Sequence, residues 1–168
     1  CDSVVGVDTG ALTSFFYPFQ EREKIYELYE EICGARLTTN IGRIGGFERD
    51  FTPVFHTKLK SFLKTFPKAF SEWDSMLARN RIFMDRTRGT GPISPERALA
   101  YGFTGPNLRA AGVDYDVRVM HPYSSYEDFD FIIPVGVNGD TYDRFMVRQE
   151  EIRQSIRIIE QAYGNLPE

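Results

Sequence analysis

Apolar residues recur at helical spacing through three long segments, and this periodicity constrains the fold more than any other feature of the sequence. The first segment runs from about Thr9 to Cys33. Its apolar residues follow the 3.6-residue period of an α-helix: Leu12, Phe16, Phe19, Ile25, Leu28 and Ile32. Pro18 is predicted to kink or interrupt this helix, and Gly34 to end it.

The second helical segment is predicted to begin at Asp50 or Thr52, with Pro53 in its first turn. Pro67 is predicted to break it, because proline removes a hydrogen bond inside a helix. The apolar residues keep helical spacing on both sides of Pro67: Phe55, Leu59, Phe62 and Phe66 before it, and Phe70, Trp73 and Leu77 after it.

The third segment follows Gly139, with Asp140 or Thr141 as its predicted cap. Its apolar residues are Phe145, Ile152, Ile156, Ile159 and Tyr163. Gly164, Asn165 and Pro167 are predicted to end it.

A region rich in glycine and proline, 89–112, separates the second and third segments, and Ser94 with Pro95 predicts a short helix there. Apolar residues then alternate with other types over 126–137, at Phe129, Phe131 and Ile133, which predicts a short strand. The predicted fold class is mainly α, with a minor β element around 126–137.

Composition excludes several classes of protein. The chain has 168 residues, the size of one domain; 42% are hydrophobic and 26% charged, as in globular proteins. The net charge is −4, without a basic stripe, so nucleic acid is not expected as a partner. Apolar runs such as 131–137 are far shorter than the roughly 20 residues that span a bilayer. The absence of an initiator Met leads us to expect a piece of a longer protein, with surface that its parent covers.

The polar residues alone do not predict an activity. Cys1, Cys33, His56 and His121 lie far apart, so no metal site is predicted, and two isolated thiols favour a reducing, cytoplasmic-side setting. Cys33 is interpreted as an inert core thiol. The glycine-rich run 40–46 is interpreted as a turn rather than a phosphate loop. The acidic residues of the first helix form either a solvated face or a contact with a basic partner: Glu21, Glu23, Glu27, Glu30 and Glu31.

Three stretches nevertheless resemble one known family. Residues 7–23 read VDTGALTSFFYPFQERE, residues 34–36 and 43–46 read GAR and RIGG, and residues 139–148 read GDTYDRFMVR. Together, in this order, they resemble the middle part of the 49-kDa-type (D-type) subunit of NADH:quinone oxidoreductase, respiratory complex I. The resemblance covers the whole chain, which is read as one fragment, residues 1–168.

The resemblance implies a fold and an activity. The family shares its helical fold with the large subunit of nickel-iron hydrogenases, but binds no nickel. It forms part of the cavity in which quinone is reduced, at the interface with the subunit that carries the terminal iron-sulfur cluster. No cofactor is expected on this chain, because FMN and the iron-sulfur clusters belong to other subunits. The implied activity is that of an oxidoreductase and translocase, and the fragment alone is predicted to be inactive.

Particular residues match the family's functional positions. Asp8 matches an aspartate that pairs with a quinone-site histidine, where a carboxylate favours the imidazolium that can supply a proton. Phe15 and Phe19 match aromatic positions near the cavity, and Arg43 matches an arginine close to the cluster-bearing partner. Thr38 stands where the family usually has a histidine, and Ile41 where a tyrosine is common, so proton coupling through that histidine is in doubt. The quinone-binding histidine and tyrosine of the family precede the region matched here.

The implied partners are the terminal iron-sulfur subunit, a C-type subunit, a membrane-arm subunit and quinone, with self-association of the fragment as a further expectation. The implied location is peripheral, on the cytoplasmic face of the cell inner membrane. Two alternatives stay open: a large-subunit fragment of a membrane-bound, energy-converting nickel-iron hydrogenase, and a non-catalytic helical scaffold.

Overall fold

The computed structural model describes residues 2–166, so Cys1 and Pro167 lie outside the described residues. The chain forms two compact units, Ser3–Leu77 and 78–166, where length alone favoured one core. The mainly α class is confirmed. Helices and strands follow one another as α1 (Asp2–Asp8), α2 (Thr13–Cys33), β1 (Gly42–Arg43), β2 (Gly46–Phe47), α3 (Pro53–Leu77), α4 (Arg81–Thr87), α5 (Pro95–Ala100), α6 (Gly105–Ala110), α7 (Val117–Met120), a 3₁₀ turn (Tyr126–Asp128) and α8 (Thr141–Gly164).

Helix α3 supplies the core of the first unit and packs against α2. All seven predicted apolar positions are buried: Phe55, Leu59, Phe62, Phe66, Phe70, Trp73 and Leu77. Thr52 caps the helix, since its Oγ1 accepts a hydrogen bond from the Phe55 N–H at 3.1 Å. The break predicted at Pro67 is wrong, because α3 continues through this residue. Burial of each large side chain contributes about 1.5–3 kcal/mol, so four aromatic residues around Pro67 outweigh a proline cost of about 3 kcal/mol.

Helix α2 differs from its predicted apolar face. Gly34 ends it in the left-handed conformation (φ 71°), as predicted, but the helix begins at Thr13 and runs unbroken through Pro18. The residues buried on α2 are Ser14, Pro18, Glu21 and Leu28. Of the predicted apolar face, Leu28 is buried whereas Leu12, Phe16 and Phe19 are exposed. The first half of α2 therefore turns polar and small residues inward and aromatic rings outward.

The minor β element lies elsewhere than predicted. The chain forms no ladder within 126–137, where a 3₁₀ turn is followed by backbone without helix or strand. Alternation of side chains is not sufficient for a strand, since a ladder also needs a neighbour. Within the described residues the paired strands are β1 and β2, an antiparallel hairpin in which Gly42 pairs with Phe47.

Helix α8 organises the second unit. Asp140 caps it, as predicted: its Oδ1 accepts a hydrogen bond from the Asp143 N–H at 2.8 Å. Helices α4 and α6 pack against α8, and the Phe83 and Phe145 rings meet edge to face at 4.9 Å. The predicted helix at Ser94–Pro95 is present as α5.

Two glycines allow the 129–139 segment to approach α6 and the 88–93 loop closely. A Cβ atom on Gly136 would lie 2.6 Å from the Ala110 carbonyl oxygen, and one on Gly139 would lie 2.2 Å from that of Ile93. Gly139 also has φ +64°. Any side chain at either position would collide with backbone, so these positions require glycine.

Candidate functional site

Asp8 is the last residue of α1, at a tight corner between α1 and α2. The corner is closed by Thr9, whose Oγ1 donates to the Val5 carbonyl at 2.9 Å, and by Gly10 in the left-handed region (φ 89°). Gly6 lies against Ser14 on α2 so closely that an added Cβ would be 2.1 Å from the serine hydroxyl. These contacts fix the angle at which the chain passes from α1 into α2.

The Asp8 carboxylate is exposed and has no hydrogen bond or ion pair among the residues whose side chains the structure describes, 4–166. This differs from the other aspartates that begin or end helices here, such as Asp140 and Asp116, which are buried and bonded. An exposed acid at this corner is accessible to a group outside the described residues.

A line of rings and guanidinium groups follows one side of α2. The Phe15 and Phe19 rings stack at 4.2 Å, and Arg22 lies over both Phe19 (5.5 Å) and Tyr26 (5.1 Å). Arg36 also lies over the Tyr26 ring, at 5.4 Å. The two phenylalanines named from the sequence are therefore in direct contact, and they continue into a cation–π series that the sequence did not predict.

Several of the acidic residues of α2 form ion pairs with cations of the same chain. Glu23 and Glu30 are exposed and form ion pairs with Arg36, which raises the Arg36 pKa. Glu21 is instead buried and bound to Lys24 at 2.7 Å, so the solvated-face interpretation is wrong for this residue. Cys33 is half-buried and its Sγ lies 3.1 Å from the Tyr29 carbonyl oxygen, so it is not a core thiol.

Thr38 and Arg43 lie in the connection between α2 and α3, which includes the β hairpin. Both side chains are exposed. Arg43 Nη2 binds Glu48 Oε2 at 2.8 Å, and this hydrogen bond and the arginine charge lower the Glu48 pKa. At the hairpin turn Ile44 is wholly exposed. The structure thus brings Thr38 and Arg43 into one exposed connection, and no hydrogen bond or ion pair joins either of them to Asp8.

The side chains of the GDTYDR stretch, residues 139–144, form hydrogen bonds with backbone groups and do not form a reactive centre. Asp143 Oδ2 accepts hydrogen bonds from the N–H groups of Val137 (2.8 Å) and Asn138 (2.6 Å). Tyr142 Oη donates to the Ala78 carbonyl at 2.9 Å, and Arg144 Nη1 donates to the Gly139 carbonyl at 2.6 Å. Each of these side chains lies on the first turn of α8 and holds the backbone of a loop through its hydrogen bond.

Four charged residues of the second unit form a network that sequence reasoning missed. Arg109 is buried on α6, and its guanidinium meets Glu151 and, at 3.3 Å, Asp116. Arg118 binds Asp116 through Nε (3.0 Å) and Nη2 (2.7 Å). The four positions follow no sequence pattern, since α6, α7 and α8 bring them together, and a single sequence carries no signal for the network.

The network lines a cavity of about 600 Å³. Burial raises the Asp116 pKa, but the hydrogen bonds from Arg118 and the charges of Arg118 and Arg109 outweigh it, so the pKa is lowered. The same carboxylate raises the Arg118 pKa. Two cations and two carboxylates compensate one another, and the network is therefore best described as the support of α6 and α7 on α8.

Among the side chains that the structure describes, residues 4–166, no group of three or more histidine, cysteine, aspartate or glutamate side chains is arranged to hold a metal ion. Across the same residues, no helix has both the length and the apolar character needed to cross a membrane.

Residues 8–168 match the family model of the 49 Kd subunit of respiratory-chain NADH dehydrogenase. The chain is 67% identical, over 99% of its length, to the D-type subunit of NADH-quinone oxidoreductase from Flavobacterium johnsoniae, and covers 40% of that protein. It is 51% identical, over its full length, to the corresponding protein of Leptospira biflexa, and covers 41% of it. It is 48% identical, over 96% of its length, to the C/D-type subunit from Bdellovibrio bacteriovorus, and covers 29% of that protein. By these matches the chain belongs to the 49 Kd subunit family of the respiratory-chain NADH dehydrogenase.

Proposed function

We propose that this chain contributes one wall of the quinone-reduction cavity in a proton-pumping NADH:quinone oxidoreductase, at the interface with the terminal iron-sulfur subunit. The observation that carries the proposal is Asp8: an exposed carboxylate without a partner in the described residues, held at a closely packed corner between α1 and α2. Such a group is suited to orient a histidine from outside the chain and to favour its protonated form. The reduced quinone oxygen would receive its proton from that histidine.

Phe15 and Phe19 supply an apolar wall to the same cavity. Their stacked rings begin on the first turn of α2, after the corner that carries Asp8. Flat rings suit a flat quinone headgroup, because aromatic faces stack in offset arrangements. Arg43 and Thr38, on the exposed connection, are assigned to the side of the cavity nearest the terminal cluster. Thr38 does not titrate near neutral pH, so no proton uptake is assigned to that position.

The proposed partners are the terminal iron-sulfur subunit, a C-type subunit and a membrane-arm subunit, with the chain peripheral on the cytoplasmic face of the inner membrane. The name C/D of the Bdellovibrio bacteriovorus relative supports the proximity of C-type and D-type parts. The quinone is the substrate of the whole enzyme, whose other subunits carry FMN and the clusters. The chain spans 40% of its Flavobacterium johnsoniae relative, so the 168 residues alone are predicted to be inactive.

The experiment that tests the proposal replaces Asp8 with Asn in the whole enzyme. Quinone reduction should slow, while electron transfer from NADH to a water-soluble acceptor should be unchanged, because that acceptor takes electrons before the quinone cavity. Asp50→Asn is the matched control, since Asp50 is also an exposed carboxylate of the first unit. Unchanged quinone turnover in Asp8→Asn would remove Asp8 from the mechanism.

The family match and the relatives' names favour this function over the energy-converting hydrogenase alternative. A hydrogenase parent would hold nickel through cysteine pairs near both of its ends. Stoichiometric nickel in a metal analysis of the purified whole protein, together with such pairs in the full gene, would favour the hydrogenase instead. Normal enzyme assembly without any quinone turnover would favour a scaffold.

A further inference from the structure

The backbone of residues 130–136 has one bonded edge. This stretch contains no helix, turn or bend. Its even-numbered amides bond inward, to acceptors on α6 and α8: the Asp130 N–H to Gln161 Oε1 (2.8 Å), the Ile132 N–H to Gln154 Oε1 (3.2 Å) and the Gly136 N–H to the Arg109 carbonyl (2.9 Å). The remaining even position is Pro134, which has no N–H to offer.

The opposite edge is free. The backbone groups of Phe131, Ile133 and Val135 have no hydrogen-bond partner within residues 2–166. In extended backbone, successive N–H and C=O groups point to opposite sides, so these three residues present donors and acceptors at a two-residue repeat along one edge. Pro134, which lacks an N–H group, lies on the bonded edge. The free edge therefore keeps the N–H groups of all three of its residues.

The side chains beside this edge are apolar, and exposed positions alternate with half-buried ones except at Ile133 and Pro134, which are both half-buried. Ile132 is 55% exposed, Val135 40% and Val137 87%, whereas Phe131 and Ile133 are half-buried. Proteins usually protect a free edge with charged side chains, a bulge or a covering element. Here β-branched residues of high strand propensity flank the edge instead. This strand-like segment has no neighbouring strand in the described residues, so its free edge is available to a strand from elsewhere.

We propose that residues 130–136 are a docking edge to which an extended strand from outside these 168 residues adds by main-chain hydrogen bonds. The partner strand carries apolar residues at alternate positions and Lys or Arg beside them. The basic residues complement the charge of Glu127 and Asp128. These two exposed carboxylates have no ion pairs in the described chain and lie just before the edge. A second copy of residues 127–136 would bring the same carboxylates and no cation, so it fits poorly.

The proposal rests on the proposed function only in placing the chain inside a larger assembly, and it uses no quinone chemistry. Amide hydrogen exchange on the purified whole enzyme tests it with an internal reference. The amides of Phe131, Ile133 and Val135 should exchange as slowly as those of Asp130 and Ile132, about 100-fold or more below the rate of an unstructured peptide. Fast exchange at the three odd positions, with protection at the two even ones, would overturn the proposal. A failed Asp8 experiment would leave this pattern unchanged.

A pair of variants separates the main-chain donor from the side chain. Val135→Pro removes one N–H from the free edge and no hydrogen bond within the described chain, whereas Val135→Ala loses the same side chain and keeps the N–H. Val135→Pro should lower the yield of assembled enzyme on a native gel severalfold relative to Val135→Ala. Equal yields would contradict a main-chain contact.

A photoreactive residue at position 132 identifies the occupant. A covalent link to an extended segment outside these 168 residues supports the proposal. A link to a second copy of the segment, or no link to any polypeptide, contradicts it.

Discussion

Asp140 Oδ2 accepts a hydrogen bond from the Gly89 N–H at 2.7 Å, so the residue that caps α8 also holds a loop 51 positions earlier in the chain. Its other oxygen caps α8 through the Asp143 N–H. The Thr90 carbonyl continues the contact by accepting hydrogen bonds from the N–H (3.1 Å) and Oγ1 (2.9 Å) of Thr141. One buried carboxylate therefore joins the start of α8 to the loop after α4.

Replacing Asp140 with Ala should lower the free energy of unfolding by about 2–4 kcal/mol. Loss of a helix cap costs about 0.5–2 kcal/mol. Loss of the second hydrogen bond, from the Gly89 N–H to the charged carboxylate, costs about 1.5–3 kcal/mol more. Urea unfolding of the purified chain measures the change. Asp114→Asn, at an exposed position of the same unit, is the control and should stay within about 0.5 kcal/mol of the wild type. Equal stability of the Asp140→Ala variant would show that the two bonds contribute nothing.

The free energy of unfolding should fall at acid pH, because the Asp143 carboxylate becomes protonated. Burial raises the pKa of this carboxyl, but the hydrogen bonds from the Asn138 and Val137 N–H groups outweigh it, so the pKa lies below its ordinary value. Because its folded-state pKa is lowered, the Asp143 carboxylate stabilises the fold fully at pH values above its unfolded-state pKa of about 3.9. This contribution is lost as the pH falls through the folded-state pKa. Asp116 acts in the same direction.

Urea unfolding between pH 7 and pH 3 checks this expectation. The Asp143→Asn variant should be less stable at pH 7 and should lose less stability on acidification than the wild type, because it no longer has that carboxylate to protonate. Asp114→Asn should follow the wild-type curve more closely. An Asp143→Asn curve parallel to that of the wild type would contradict the assignment.

Replacing Arg109 with Met should destabilise the second unit by about 3–5 kcal/mol, because it leaves the Glu151 carboxylate without its buried cation. Arg153→Met is the control on α8: Arg153 pairs with Glu150 at 3.0 Å but its side chain is 43% exposed. A surface pair of this kind contributes about 0–1 kcal/mol. Thermal unfolding of the two variants should therefore differ clearly, and similar unfolding temperatures would mean that the buried network is no more stabilising than a surface pair.

The sequence predicted those parts of the fold that local rules determine. The α3 face, the caps at Thr52, Ser94 and Asp140, and the stop at Gly34 depend on residues within a few positions of one another. Pro67 was misread because the proline rule is local, whereas the burial that overrides it comes from the packing of α3.

The candidate site was predictable only as separate residues. The family resemblance pointed to Asp8, Phe15 and Phe19, but their proposed role depends on a histidine, a quinone and a cluster from outside the chain. The Arg109 network could not be predicted, because Asp116 and Glu151 reach Arg109 only after α6, α7 and α8 have packed. The strand predicted over 126–137 has the expected alternation, but alternation does not say whether a neighbouring strand exists.

The exposed aromatic residues of α2 lead to the final prediction, which is self-association of the purified chain. Phe16 is 59% exposed and Leu12 58%, with Tyr17 and Phe19 exposed on the same first turns. Contiguous apolar patches larger than about 400 Å² are uncommon on monomers. Sedimentation velocity over a range of concentrations should therefore show a dimer in exchange with monomer.

Phe16→Ser should raise the dimer dissociation constant about 10- to 100-fold, because burying a phenylalanine contributes about 1.5–3 kcal/mol and each 1.4 kcal/mol is a factor of about ten. Leu99→Ser is the matched control, since Leu99 is similarly exposed (58%) but lies on α5 in the other unit. Its dissociation constant should equal that of the wild type. A wild-type chain that stays monomeric at high concentration, or an equal effect of both substitutions, would show that the α2 rings do not form the contact.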